Sequence, residues 1–273
     1  MANRREPLAP AVVEPLLRGR LGRPYLWSES CTSTQDLLRD PGLPEGAVAV
    51  TEHQTAGRGR GGRSWEDTPG AALLLSVLLR PPESARAPQL SLVCALAVAE
   101  AIDSAAGLDV RVKWPNDVLV DDGKLAGILL EGRDGALVCG IGVNVGQTGE
   151  SLPADTRLPA ASLRTLTGRE HERAELLVTL LERLEARYDL WLAEGLAPLL
   201  PELERRDVLR GSVVTVGGVT GTADGIAPDG RLRVARADGT TVLVASGEVE
   251  APVSDRSRTP GVSPSRGRSR SGP

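Results

Sequence analysis

The sequence predicts an α+β fold: a mixed, mostly antiparallel sheet flanked by helices, followed by a small β-barrel. Three observations carry this. Between Val110 and Val145, short apolar runs are joined by turns containing Asp-Gly, the pattern of an antiparallel meander. Two stretches, Gln89 to Ala106 and Glu170 to Glu194, repeat apolar residues at helical spacing along one face. From Gly211, valine-rich segments alternate with Gly217-Gly218, Asp224-Gly225, Asp229-Gly230 and Asp238-Gly239, close-spaced turns that suit a barrel ending near Val249.

Taken in order, Met1 to about Gly22 holds at most one short helix, too little for a helix-turn-helix, so no DNA binding is expected. Trp27 to Asp36 reads as a strand and then a helix start. Thr32 with Gln35, or Ser33 with Asp36, would form a capping box there. Ala47 to Glu52 and Ala71 to Leu79 are apolar strands, the second stopped by Pro81-Pro82. Leu92, Leu96, Ala99 and Ile102 form the buried stripe of the next helix, and Gly107 ends it. Strands then run from Val110 to Lys113, Asp117 to Val120, Lys124 to Glu131 and Ala136 to Val145, with turns at Asp121-Asp122-Gly123 and Arg133-Asp134-Gly135. Ala160 to Leu166 begins another element. Leu177, Leu180, Leu181, Leu184, Tyr188 and Trp191 stripe the long second helix, and Pro198 and Pro201 punctuate a shorter one to about Arg206.

Composition narrows the function classes. The chain of 273 residues has no Phe and only two Tyr, so Leu, Val, Ala and Ile must build the core, with four Trp as large anchors. Its net charge of −4 hides a basic tail, Pro252 to Pro273, which carries +4 and leaves −8 on the rest. An acidic body argues against broad nucleic-acid binding. Cys31, Cys94 and Cys139 lack metal or disulfide spacing, so no metal site is expected. Reduced thiols, no signal-peptide pattern and no run long enough to span a bilayer imply a cytoplasmic protein without a membrane partner.

The densest chemistry is Thr51 to Trp65, where glycine alternates with arginine at Gly57-Arg58-Gly59-Arg60-Gly61-Gly62-Arg63. Glycine frees the backbone and arginine offers a planar fork of donors, so the run reads as a mobile loop closing over an anion. No Gly-Lys-Ser/Thr follows, so it is not a Walker A loop. An RGG-like nucleic-acid contact is the rival reading. Lys113-Trp114-Pro115-Asn116-Asp117 and Lys124-Leu125-Ala126-Gly127 put two lysines around one hairpin, where they could converge with the arginines. In Gly140-Ile141-Gly142-Val143-Asn144, alternate glycines leave one sheet face bare, room for a flat ligand.

In this order, Gln54 with Gly57 to Arg60, Lys113 to Asp117, Lys124 to Gly127 and Gly140 to Asn144 resemble biotin–protein ligases, over roughly Trp27 to Glu250. The resemblance implies a class II synthetase-like catalytic domain at 24–206 after an N-terminal extension at 1–23. An SH3-like barrel at 207–251 and a disordered basic tail at 252–273 would follow. It implies ATP with Mg2+ and biotin as substrates, biotinyl-5′-AMP as intermediate, and the biotin carboxyl carrier part of acyl-CoA carboxylases as partner. Ser33, Thr34, Gln35 and Gln54 would bind the ureido head, with Gly59, Gly127, Gly140 and Gly142 offering backbone. Lys124 and Arg58 would meet the biotin carboxylate and α-phosphate as the catalytic cations. Arg60 and Arg63 would face phosphates, and Lys113, Asn116, Asn144 and Trp65 the nucleotide side. Two departures stand out: Gly61 where the family often has arginine, and Gln35 where the TSTN-like motif has asparagine.

A lipoate–protein ligase, with related fold and the same adenylation chemistry, is the alternative enzyme. The Ser/Thr/Gln set suits a urea better than a dithiolane.

Overall fold

In the computed structural model, residues 7–82, 87–133, 135–154 and 156–250 are described. The expected tail and the turn residue Asp134 therefore lie outside the described residues.

Seven strands form the larger sheet: β1 (Tyr25–Ser28), β2 (Val48–Thr51), β3 (Ala72–Leu79), β4 (Val110–Lys113), β5 (Asp117–Val120), β6 (Gly123–Arg133) and β7 (Ala136–Asn144). They lie in the order β1-β2-β3-β7-β6-β5-β4. Only β1 and β2 run parallel; every other pairing is antiparallel, which makes the sheet mixed. The meander β4 to β7 follows from its short turns. In the β5–β6 turn the left-handed residue is Asp121, at φ 51°, rather than Gly123. Gly123 instead lets Ala161 approach: a Cβ there would stand 2.7 Å from the alanine methyl.

Side chains alternate across a strand, and that alternation divides the sheet into two faces. Leu73, Leu75 and Val77 of β3, with Cys139, Ile141 and Val143 of β7, join the main core. Against that face lie α3 (Ala87–Ala106) and α5 (Arg173–Glu194). The expected stripe of α5 is buried throughout, with Tyr188 stacked on Trp191 at 5.8 Å between ring centroids. Trp191 donates from Nε1 to Gln89 Oε1 at 2.7 Å, tying α5 to α3. Helix α3 is long and apolar enough to cross a membrane, yet it is mostly buried in this core.

Shorter helices complete the first unit: α1 (Pro10–Val13), α2 (Thr34–Leu37), α4 (Leu163–Thr167) and α6 (Leu200–Arg206). Helix α2 starts where the Thr/Ser/Gln cluster predicts, but without the expected box, since Ser33 makes no side-chain cap bond. Thr32 spends its hydroxyl on Asp36 at 2.8 Å. A cap box does form at α4, between Ser162 and Thr165.

The C-terminal unit is a five-stranded antiparallel sheet of β8 (Val213–Val216), β9 (Val219–Ile226), β10 (Leu232–Ala235), β11 (Thr241–Val244) and β12 (Val249–Glu250). Its order is β11-β10-β9-β8-β12. Trp114, 2% exposed, fastens it to the first unit by donating from Nε1 to Gly230 O at 3.0 Å.

Candidate active site

A cavity of about 470 Å³ opens on the sheet face opposite α3. Its floor is the strand pattern read from the sequence. Gly127 of β6 and Gly142 of β7 are register partners, and Gly140 follows two residues away on the same face. None of these three adopts positive φ, so what they provide is close approach rather than an unusual backbone. The Trp65 indole lies on this floor. A Cβ on Gly142 would stand 2.5 Å from it, and one on Gly127 3.0 Å. At Gly140 a Cβ would meet Gln35 Nε2 at 2.6 Å.

One end of the cavity is neutral and polar. Thr34 donates its N–H to Gln54 Oε1 at 2.9 Å and shares a 2.7 Å hydroxyl bond with the buried Ser76. Asp67 holds the other side of this strand end, accepting from the Gln54 N–H at 3.1 Å and contacting His53 Nδ1 at 2.9 Å. Gln35 donates weakly to Leu129 O at 3.3 Å, and its Oε1 is buried with no hydrogen-bond partner. Ser33 completes this wall. These groups can both donate to and accept from a neutral head group.

The arginine loop folds back on itself. Trp65 donates its N–H to Gly57 O at 2.9 Å, and Gly59 donates to Arg63 O at 2.7 Å. At the tip, Gly61 (φ 65°) and Gly62 (φ 76°) are left-handed. A side chain at position 61 would be strained in this backbone.

Arg58 is held between two carboxylates. It donates from Nε to Glu131 at 3.0 Å, from Nη1 to Asp36 at 3.2 Å, and from Nη2 to both, at 3.1 and 3.2 Å. Desolvation pushes the Asp36 carboxyl up, but hydrogen bonds from Arg58, Thr32 and Arg39 outweigh it and hold the pKa at about 2. Arg60 donates to Asn116 Oδ1 at 3.0 Å, and burial lowers its pKa. Arg63 reaches Glu248 of the C-terminal unit at 2.7 Å, a carboxylate it shares with Arg157.

Both lysines expected to converge with this loop line the cavity. Lys124 Nζ lies 2.7 Å from Asp117 Oδ1 and 5.7 Å from the Trp65 ring centroid, within cation–π range. Lys113 is half-buried, and that burial pushes its ammonium pKa down. Asn116 donates to Ile128 O at 2.9 Å, and Asn144 accepts from Gln147 Nε2 at 2.9 Å.

The cavity thus gathers every candidate biotin- and nucleotide-binding residue named from the sequence. Arg58, Arg63 and Lys124 are paired with carboxylates, Arg58 most fully. Sequence reasoning missed Arg157 and Glu248, which lie in segments without a motif. It also missed Glu131 as a partner of Arg58, although counting in twos from Gly127 places Glu131 on the ligand face of β6.

Known proteins are similar to this chain in sequence and fold. Residues 27–147 match the biotin/lipoate A/B protein ligase family, and residues 211–251 match the biotin protein ligase C terminal domain. The biotin–[acetyl-CoA-carboxylase] ligase of Mycobacterium tuberculosis is 40% identical over 219 residues, 75% of this chain and 79% of the relative. The bifunctional ligase/repressor BirA of Bacillus spizizenii is 35% identical over 188 residues, and the match spans 66% of this chain but only 58% of BirA. The solved structure of the Aquifex aeolicus biotin protein ligase in complex with biotin and ATP superposes with a TM-score of 0.77 at 30% identity, covering 83% of this chain and 97% of that one. With two family domains matched in order and this relative aligned along most of its length, the chain belongs to the biotin–protein ligase family.

Proposed function

We propose that the chain is an ATP-dependent biotin–protein ligase. The observation that carries the reading is a cavity with a neutral polar end at Thr34, Gln35 and Gln54, a floor of Gly127, Gly140 and Gly142 on which Trp65 rests, and lining cations that include Arg58, Arg60, Lys113 and Lys124. A urea head, an acyl chain and a run of phosphates need those surroundings.

In the first step the biotin carboxylate oxygen attacks the α-phosphorus of ATP, and the bond to pyrophosphate breaks. Two anions must approach, and Lys124 and Arg58 are assigned to relieve their repulsion and stabilise charge growing at phosphorus. Arg60 and Arg63 face the phosphates, and Asn116, Asn144 and Trp65 the nucleoside. In the second step a carrier lysine amine attacks the acyl carbon, AMP leaves, and a carbon–nitrogen bond remains. No covalent enzyme intermediate is needed, so catalysis is positioning and electrostatics.

Magnesium enters with the nucleotide as part of the substrate. Two carboxylates that line the cavity, Asp117 and Glu248, are paired with Lys124 and with Arg63 and Arg157. The acceptor class is the biotin carboxyl carrier domain of an acyl-CoA carboxylase, as the name of the Mycobacterium tuberculosis relative suggests. We place the reaction in the cytoplasm and divide the chain near residue 207. Three free thiols favour that compartment.

Mixing the protein with MgATP, biotin and a carrier domain should add one biotin to the carrier by mass. A lipoate ligase would label with lipoate instead, and an unchanged carrier mass with both acids would overturn the reading.

A further inference from the structure

We propose that Cys94 and Cys139 form a reversible oxidation site: a peroxide converts the two buried thiols into one internal disulfide, which latches α3 to the strand behind the cavity floor. This site takes no part in the ligase reaction, and its test does not depend on that reading.

The pair is assembled by the fold, because the two residues stand 45 positions apart in the chain. Cys94 lies on α3, and Cys139 lies on β7, on the sheet face that α3 covers. Both are 0% exposed, and the Cys139 thiol donates to Cys94 Sγ at 3.0 Å. A disulfide holds its sulfurs about 2.05 Å apart, so closing the bond asks for a movement of about 1 Å. Among the described residues no group of three or more His, Cys, Asp or Glu could hold a metal ion, so metal ligation does not account for the pair. Cys139 and Gly140 are neighbours on β7 with opposite orientations, so the bond forms behind the floor without entering the cavity.

The chemistry balances with a peroxide as the two-electron acceptor. One thiol gives up its proton and its sulfur attacks a peroxide oxygen; the O–O bond breaks, hydroxide leaves, and a sulfenic acid remains. The second thiol then gives up its proton and attacks that sulfur. The S–O bond breaks, a second hydroxide leaves, and the S–S bond is formed. The two released protons and two hydroxides make two waters. A thiolate is needed to begin, and the bond to Cys94, followed by burial, pushes the Cys139 thiol up. The pair is therefore quiet in reducing surroundings and reacts slowly when an oxidant persists. Once formed, the bond closes a long loop between helix and strand, which restricts the unfolded chain and stabilises the fold.

Hydrogen peroxide is the probe, applied overnight to the reduced full-length chain. After remaining thiols are alkylated in denaturant, trypsin without reductant should release peptide 87–111 joined to peptide 134–157. The melting temperature of the oxidised chain should rise by about 5–10 °C, and dithiothreitol should reverse the rise. Cys94→Ala and Cys139→Ala should each abolish both the joined peptide and the rise. Recovery of the two peptides separately and alkylated, a bond from either residue to Cys31, or sulfinic acid at either residue as the main product overturns the proposal. So does a joined form that melts no higher than the reduced chain. The peptide map is made on the wild type, so it decides the matter even where a variant fails to fold.

Discussion

Gly142 and Trp65 are fitted to each other: the indole occupies the space that a side chain on β7 would take, within 2.5 Å of a Cβ built there. The loop and the sheet floor meet at that contact. Gly142→Ala should therefore expel the indole and leave the strand in place, since Gly142 does not need positive φ. Tryptophan emission should shift to the red and the biotin KM should rise, while stability changes by only about 1 kcal/mol. Emission identical to wild type would show that the ring is not held there.

Lys124 bridges the hairpin and the loop through Asp117 and Trp65. Lys124→Ala should lower biotin-dependent pyrophosphate release by about a hundredfold or more, the effect of removing one preorganised charge from a reacting phosphoryl group. Circular dichroism should be unchanged, because the ion pair is partly exposed and contributes little to the fold. Near-normal pyrophosphate release would remove Lys124 from the catalytic role.

Asp36 sets a pH dependence. Its pKa is about 2 in the folded chain against an ordinary value of 3.8. The unfolded chain therefore binds the proton first, and the stabilisation is complete above pH 3.8 and disappears as the pH falls through about 2. In acid titrations monitored by melting temperature, Asp36→Asn should lose less stability than wild type across that window. Parallel curves would contradict this.

Trp114 anchors one unit on the other. Trp114→Ala should cost about 3–5 kcal/mol by opening a cavity, and it also orphans the Gly230 carbonyl. Differential scanning calorimetry checks this, with a lowered or split transition as the expected outcome.

Much of the site was legible because its chemistry is local in the chain. Alternate glycines on β7 and the Asp-Gly hairpins obey period-two and turn rules that need no tertiary knowledge. The α5 stripe obeys the helical one. The pairing state of the cations was not legible. Arg58 looks free in sequence, and only the approach of α2 and β6 reveals that Asp36 and Glu131 satisfy it. Thr32 to Asp36 misled for a related reason. Its hydroxyls and amide match a cap box, but Thr32 bonds Asp36 instead and the Gln35 amide reaches Leu129 O on β6. The left-handed backbone at Gly61 was not legible either, since it belongs to the folded loop.

The contact at Glu248 has a bearing on how this protein can be cut. Gly247, Glu248 and Val249 line the cavity from the C-terminal unit, and Glu248 grips Arg63 and Arg157 together. The covalent joint near Asp207 is therefore not a joint in the chemistry. A shortened gene ending there would encode the whole glycine floor and the Thr34 and Gln54 wall, yet leave Arg63 and Arg157 without the Glu248 side of the cavity. Design of minimal or split versions should treat the last strand, far from any catalytic motif, as part of the reaction vessel.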